Sequence, residues 1–210
     1  MIDYDKCVEQ TRGYGGSDGV VLPNGYLSFS SIEKLKTPRM WVEHYIYGNK
    51  QSIDGISYIA KGKEIAELRE SDAIYQDKYP SLPVREKTLI VPIKLTFDGL
   101  YAPLLIKPDC MSADMSVLQD DKTQSIYSKK QWDRQRAYAS MQFRLYSLAV
   151  YQLTGVIPQF RVLVMLMENE VETGLFNMYA VQYTERDMED TREKFTKSVL
   201  QATQLMNIYR

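Results

Sequence analysis

The chain is poor in the residues that build metal clusters and covalent staples. Among 210 residues there are two cysteines, Cys7 and Cys110, and one histidine, His44. Two thiols cannot supply the four thiolates of an iron–sulfur cluster, and so sparse a cysteine content does not make a disulfide scaffold. A single histidine rules out chemistry based on a histidine pair and leaves little for a zinc site. Net charge is nearly absent too: 26 Lys and Arg against 27 Asp and Glu give −1, so no overall basic field advertises nucleic acid. A local basic track can still neutralise phosphates within such a chain. No apolar run reaches membrane-spanning length, and the N-terminus is polar and glycine-rich rather than secretory in pattern. The expectation is a soluble, intracellular (cytoplasmic) protein without membrane contact. The length suits one domain with a sizeable core.

Residues 1–26 hold Gly13, Gly15, Gly16, Gly19 and Gly25 and read as an N-terminal arm, with 27–210 as the domain. Ser28 or Ser30 can cap a helix, and Glu33, three residues after Ser30, completes a capping box. Gly48 and Asn49 end that helical region. A second helix is expected over 56–70, then a polar loop over 71–86 carrying Pro80 and Pro83. Leu89, Val91, Ile93, Leu95 and Phe97 alternate with polar or small neighbours, as in a half-buried strand. Pro92 confines that strand to an edge or a bulge. Asp98-Gly99 reads as a hairpin turn, followed by strands over 100–106 and 115–122. From 131 to 153, Tyr138, Met141, Leu145, Leu148, Ala149 and Leu153 recur at helical spacing, which predicts one long amphipathic helix ended by Gly155. Strands follow over 160–167 and 175–183 around an acidic turn ending in Gly174. Thr184 with Asp187 caps a last helix whose Phe195, Val199, Ala202 and Met206 share a face. The fold class is α/β, a mixed central β-sheet flanked by helices.

The sharpest chemical pattern is Leu104-Leu105-Ile106-Lys107-Pro108-Asp109, followed by Val117-Leu118-Gln119-Asp120-Asp121-Lys122-Thr123. On a strand, residues i and i+2 point to one face. Asp120 and Lys122 therefore sit side by side, with Asp121 facing away. If the two apolar runs pair as a hairpin, Asp109 approaches Asp120. Two carboxylates supply hard oxygen ligands for Mg2+. An ammonium beside them stabilises negative charge or helps to generate hydroxide. Such a trio suits a phosphodiester hydrolase.

Pro108-Asp109 with Asp120-Asp121-Lys122 resembles the paired motif of the PD-(D/E)xK nuclease superfamily, with an acid at the usually apolar middle position. Gln142-Phe143-Arg144-Leu145-Tyr146 resembles the Q-x-x-x-Y element of its RecB-like branch. Leu27-Ser28-Phe29-Ser30, with Pro38-Arg39-Met40-Trp41 after it, is similar to that branch's opening helix, and 58–68 to the helix of its first motif. The resemblance spans roughly residues 27–205 in the expected order.

It implies a restriction-endonuclease-like αβββαβ core and an Mg2+-dependent deoxyribonuclease, with Mn2+ as a substitute metal. The activity implied is that of an exonuclease in DNA recombination, repair or replication, a phage or mobile-element origin included. Asp109, Asp120 and the Asp121 carbonyl would hold metal, and Lys122 would act on the reacting phosphate. RecB-like members commonly place a first-motif histidine four residues after a glycine; here Ala66 stands in that relation to Gly62. Glu67 is the best replacement as a catalytic, metal-holding acid, with Glu64 and Glu70 on nearby positions. Gln142 and Tyr146, four apart on one helix face, would meet the DNA backbone or the lysine region. Lys129, Lys130, Arg134 and Arg136, interleaved with Trp132, form a candidate DNA track suited to a single strand or frayed end. Some members of the branch carry an iron–sulfur cluster, which these two cysteines exclude. The implied partner is DNA, with a recombination or replication protein as a candidate recruiting partner. Two other readings stay open: a nuclease-fold binding module without cleavage, and a site-specific endonuclease. His44 and Cys110 read as structural.

Overall fold

The computed structural model describes Val20, residues 22–49, Glu64, Ile65, Glu67, and residues 78–97, 99–169 and 171–209. Most of the glycine-rich arm and most of the helix expected over 56–70 lie outside the described residues, as does Asp98 of the expected turn. The last part of the glycine-rich stretch is packed: Val20 and Leu22 are buried in the core.

The chain enters through strand β1 (Leu27–Ser28), then helices α1 (Phe29–Lys34) and α2 (Pro38–Tyr45). The cap of α1 is Ser28 rather than Ser30. Ser28 Oγ accepts the Ser31 N–H, and Ser31 Oγ accepts the Ser28 N–H. Ser31 thus takes the part expected of Glu33, which instead meets the Lys36 ammonium at 2.8 Å. Pro38 opens α2, where its missing N–H has no intrahelical partner to lose.

Two mixed sheets follow. The first has the order β1-β4-β3, with β3 at Leu89–Lys94 and β4 at Tyr101–Ile106. Strand β3 lies at its edge, so Pro92 removes no donor from an interior ladder. The second has the order β2-β5-β6-β7-β8. These strands are β2 (Val84–Arg85), β5 (Cys110–Met111), β6 (Val117–Ser125), β7 (Gln159–Glu168) and β8 (Val171–Gln182). β6 and β7 run parallel, which requires a crossover. Helices α3 (Arg134–Ala139) and α4 (Met141–Thr154) supply it. Helix α5 (Glu185–Tyr209) closes the chain. The α/β class with helices flanking mixed sheets is as the pattern predicts, but the sheet is divided.

That division corrects the expected hairpin. The run ending at Ile106 pairs with β1 and β3, not with β6. Pro108 follows, cannot donate to a ladder, and the chain steps across to the second sheet as β5. A second correction concerns the long helix, which breaks at Ser140 (φ −65°, ψ 119°). The carbonyls freed there are satisfied from elsewhere. Tyr183 Oη donates to Ala137 O at 3.2 Å and Arg144 Nε donates to Tyr138 O at 3.1 Å. Thirdly, Gly174 does not end the β7–β8 turn. It lies inside β8 with φ +78°, beside a register shift between Met165 and Met167, where a bulge suits glycine.

The main core packs α4 against both sheets and α5 against α4, with Phe143, Phe160, Phe195, Val199, Ala202 and Met206 all buried. Phe143 stacks on Phe160 at 4.3 Å. A smaller cluster of Ile65, Tyr79, Leu163, Met165 and Met167 covers the other face of β7. Among the described residues no helix is long and apolar enough to cross a membrane.

Candidate active site

Strand β5 pairs antiparallel with β6 through Cys110↔Gln119 and Met111↔Leu118. Carried one residue further, that register sets Asp109 opposite Asp120. The Asp109 carboxylate reaches across the same gap, where Oδ2 accepts the Asp121 N–H at 2.6 Å. The eleven-residue separation read from the sequence therefore does bring the two acids together, through a two-residue strand after Pro108.

Strand alternation fixes the rest. Asp120 and Lys122 share a face, and Asp120 Oδ2 lies 2.5 Å from Lys122 Nζ. Beyond that ammonium, Oδ2 has no partner among the described residues. Asp121 points the other way, where its Oδ1 accepts from Gln119 Nε2 at 3.0 Å. The second oxygen of Asp120, Oδ1, accepts from Gln142 Nε2 at 3.1 Å. Gln142 also donates to Tyr146 Oη at 3.3 Å. The Tyr146 hydroxyl in turn meets the Lys107 backbone, just before Pro108 and Asp109. Helix α4 thus reaches both β6, which presents Asp120, and the segment before β5 that presents Asp109. Gln142 and Tyr146, four residues apart, turn inward to the site, and Tyr146 is buried.

The electrostatics are those of crowded carboxylates. Burial first, then the charge of Asp120, pushes the Asp109 carboxyl up to about 8. Asp120 is itself raised by burial, against the pull of Lys122. Burial works to lower Lys122, but the Asp120 carboxylate beside it outweighs this and its ammonium is held above the ordinary lysine value.

One acid escapes the sequence pattern. Glu86 adopts φ +49° at the end of β2, donates its backbone N–H to Asp109 O at 3.0 Å, and forms an ion pair with Lys107. Its charge acts on Asp120. Glu86 stands in a segment that reads as a polar loop, and its only sequence signal is an acid shortly before an alternating strand. Glu67 is exposed. Its helical neighbour Ile65 packs with Leu163, which pairs with Asp121 and so lies on that residue's face of the sheet. Lys129, Lys130, Arg134 and Arg136 are all exposed. Arg136 is held in place: its guanidinium stacks on Trp132 at 4.2 Å and Nη1 donates to Lys130 O at 2.8 Å.

Two mixed sheets, a helix locked onto the acid-bearing strand and a pair of facing carboxylates define an α/β fold with a paired-acid site. No family model and no curated protein matches the sequence. Solved structures do match. A putative exonuclease from Eubacterium rectale has a TM-score of 0.53 at 14% identity, covering 89% of this chain and 83% of that one. A phage-related exonuclease from Haemophilus somnus has a TM-score of 0.55 at 11% identity, covering 84% and 83%. LHK-Exo, an alkaline exonuclease from Laribacter hongkongensis solved with dAMP, has a TM-score of 0.51 at 9% identity, covering 88% and 91%. At such identities the likeness is one of fold, and the fold is shared with exonucleases.

Proposed function

We propose that the chain is an Mg2+-dependent deoxyribonuclease of the RecB-like PD-(D/E)xK kind, an exonuclease acting on DNA ends in recombination, repair or replication. One observation carries this reading: the β5–β6 register sets Asp109 opposite Asp120, with Lys122 on one Asp120 oxygen and Gln142 on the other. The exonucleases of similar fold support it.

The donor set fits magnesium, which keeps several waters and needs only one or two carboxylates plus a substrate phosphate. Among the described residues no three acid, histidine or cysteine side chains gather into a closed shell. Asp109 and Asp120 would hold the ion, with the Asp121 carbonyl, water and phosphate completing its shell. The raised Asp109 carboxyl marks an excess of negative charge that a cation relieves. When bound, the ion polarises the scissile phosphate and favours attack by water.

The chain's own residues divide the remaining tasks. Lys122, kept as an ammonium by Asp120, is a poor proton acceptor and stabilises charge developing on the phosphate. Gln142 fixes the Asp120 carboxylate, and Tyr146 ties Gln142 to the Lys107 backbone, so both are positioning residues. Glu67 stays the candidate for a third acid, while Glu86 acts on Asp120 through its charge. Lys129, Lys130 and Arg134 neutralise strand phosphates.

The test is cleavage of end-labelled linear duplex, single-stranded and closed-circular DNA in Mg2+, Mn2+ or EDTA. Wild type should degrade linear DNA only with metal. Asp120→Ala should abolish this, and Lys122→Ala should slow it about 10²–10³-fold, the usual loss of one electrostatic stabiliser. Absence of cleavage with either metal overturns the reading, and binding without cleavage then favours the binding-module alternative. Circles cut as fast as linear DNA would make the enzyme an endonuclease.

A further inference from the structure

Past Lys122, strand β6 runs along the wall of a cleft of about 490 Å3 lined in part by Gln124, Ser125, Tyr127, Ser128, Lys130 and Trp132. Gln124 is two residues beyond Lys122 on the same face, roughly 7 Å along the strand. The cleft therefore begins beyond Lys122 on β6, roughly 13 Å along the strand from Asp120. Its volume lies within the range of small-ligand sites, about 300–1,000 Å3. It suits one unpaired nucleotide rather than a duplex.

Its walls carry three kinds of chemistry. Tyr127 is 68% exposed, yet its hydroxyl is pinned by donation to Glu168 Oε1 at 2.6 Å. A ring anchored at its tip loses little freedom when a base stacks on it. Gln124 Oε1 accepts the backbone N–H of Trp132 at 2.6 Å, which fixes the orientation of its amide. Ser125 and Ser128 add hydroxyls, and Lys130 places an exposed cation at the rim. Trp132 is not a stacking platform. Phe143 stacks against it at 5.7 Å and the Arg136 guanidinium lies over its ring at 4.2 Å. It is a rigid wall.

We propose that this cleft is a nucleotide subsite. It takes one unpaired deoxynucleotide of the strand being cut, with its base on Tyr127 and its phosphate near Lys130. Its place on a strand being cut rests on the nuclease reading above.

The protein supplies its own reporter. It has two tryptophans; Trp41 is fully buried and Trp132 lines the cleft. The full chain in EDTA is titrated with a single-stranded tetradeoxynucleotide, and separately with a deoxynucleoside monophosphate, while tryptophan fluorescence is followed. Saturable change with both probes is expected. A response to the tetranucleotide alone would assign the cleft to strand binding rather than product retention. Tyr127→Ala should weaken binding about tenfold or more, as loss of one base–aromatic stack does, and Tyr127→Phe, which keeps the ring but loses its pin to Glu168, should recover most but not all of that loss. Lys130→Gln should lower the salt slope by about one.

The proposal is overturned if DNA binds, by anisotropy, with no change in fluorescence, or if Tyr127→Ala binds like wild type. The cleavage assay separates the two readings. Binding in the cleft without any cleavage sinks the nuclease and keeps the nucleotide site. Cleavage with unchanged KM in Tyr127→Ala sinks the subsite alone.

Discussion

Asp109 keeps its proton at neutral pH, because burial and the neighbouring Asp120 charge hold its carboxyl up at about 8. In the unfolded chain an aspartate ionises near about 3.9. Between those values the native protein binds a proton that the unfolded chain has released, so this residue's contribution to stability falls as pH rises through the window. Asp109→Asn removes the charge and keeps an oxygen for the Asp121 N–H. In EDTA at about pH 8.5 it should melt above wild type; each 1 kcal/mol is worth roughly 2–4 °C in a chain of this size. Below about pH 4 the two should melt together. Matching melts at both pH values would remove the carboxylate repulsion. On the proposed function, metal uptake requires the ionised form, so Mg2+ affinity should rise with pH, with proton release visible by calorimetry.

Helices α3 and α4 part at Ser140, although the apolar period runs through it. Periodicity reports which residues face the core, not whether the main chain is continuous. The junction is held instead by partners remote in sequence. Asp187 Oδ2 accepts from Tyr138 Oη at 2.7 Å, its Oδ1 meets Arg144 Nη2 at 3.2 Å, and it closes the α5 cap with Thr184. Asp187→Ala should cost about 1–2 kcal/mol in chemical denaturation, the upper part of the range for a lost cap; a cost near zero would mean the junction adds nothing. The same contrast explains what the sequence made legible. The shared face of Asp120 and Lys122, the edge position of Pro92 and the buried stripe of α5 follow from local periods of 2 and 3.6. The sheet that β4 joins does not, because an apolar run carries no record of its partner. Glu86 was hidden for a similar reason: its place comes from a hydrogen bond to Asp109 and a left-handed backbone. Gln142 was found by motif, but its inward hydrogen bond to Asp120 belongs to packing.

At the scale of the molecule, a net charge of −1 leaves the proposed DNA binding to local cations. If Lys129, Lys130, Arg134 and Arg136 form the track, three or four phosphates are neutralised, and log Kd against log salt should change with a slope of about 3 to 4 in magnitude for duplex DNA. A slope near zero would remove the track. The whole fold also distributes stiffness unevenly. Nine residue pairs join β6 to β7, whereas two join β5 to β6. Short, lightly paired elements open at lower free energy than core strands. Asp120 thus stands on a nine-pair ladder, and Asp109 at the end of a two-pair clip. The site is a vice with one fixed jaw and one sprung jaw, whose gap adjusts from the Asp109 side while the Asp120 side, braced by α4, keeps its aim.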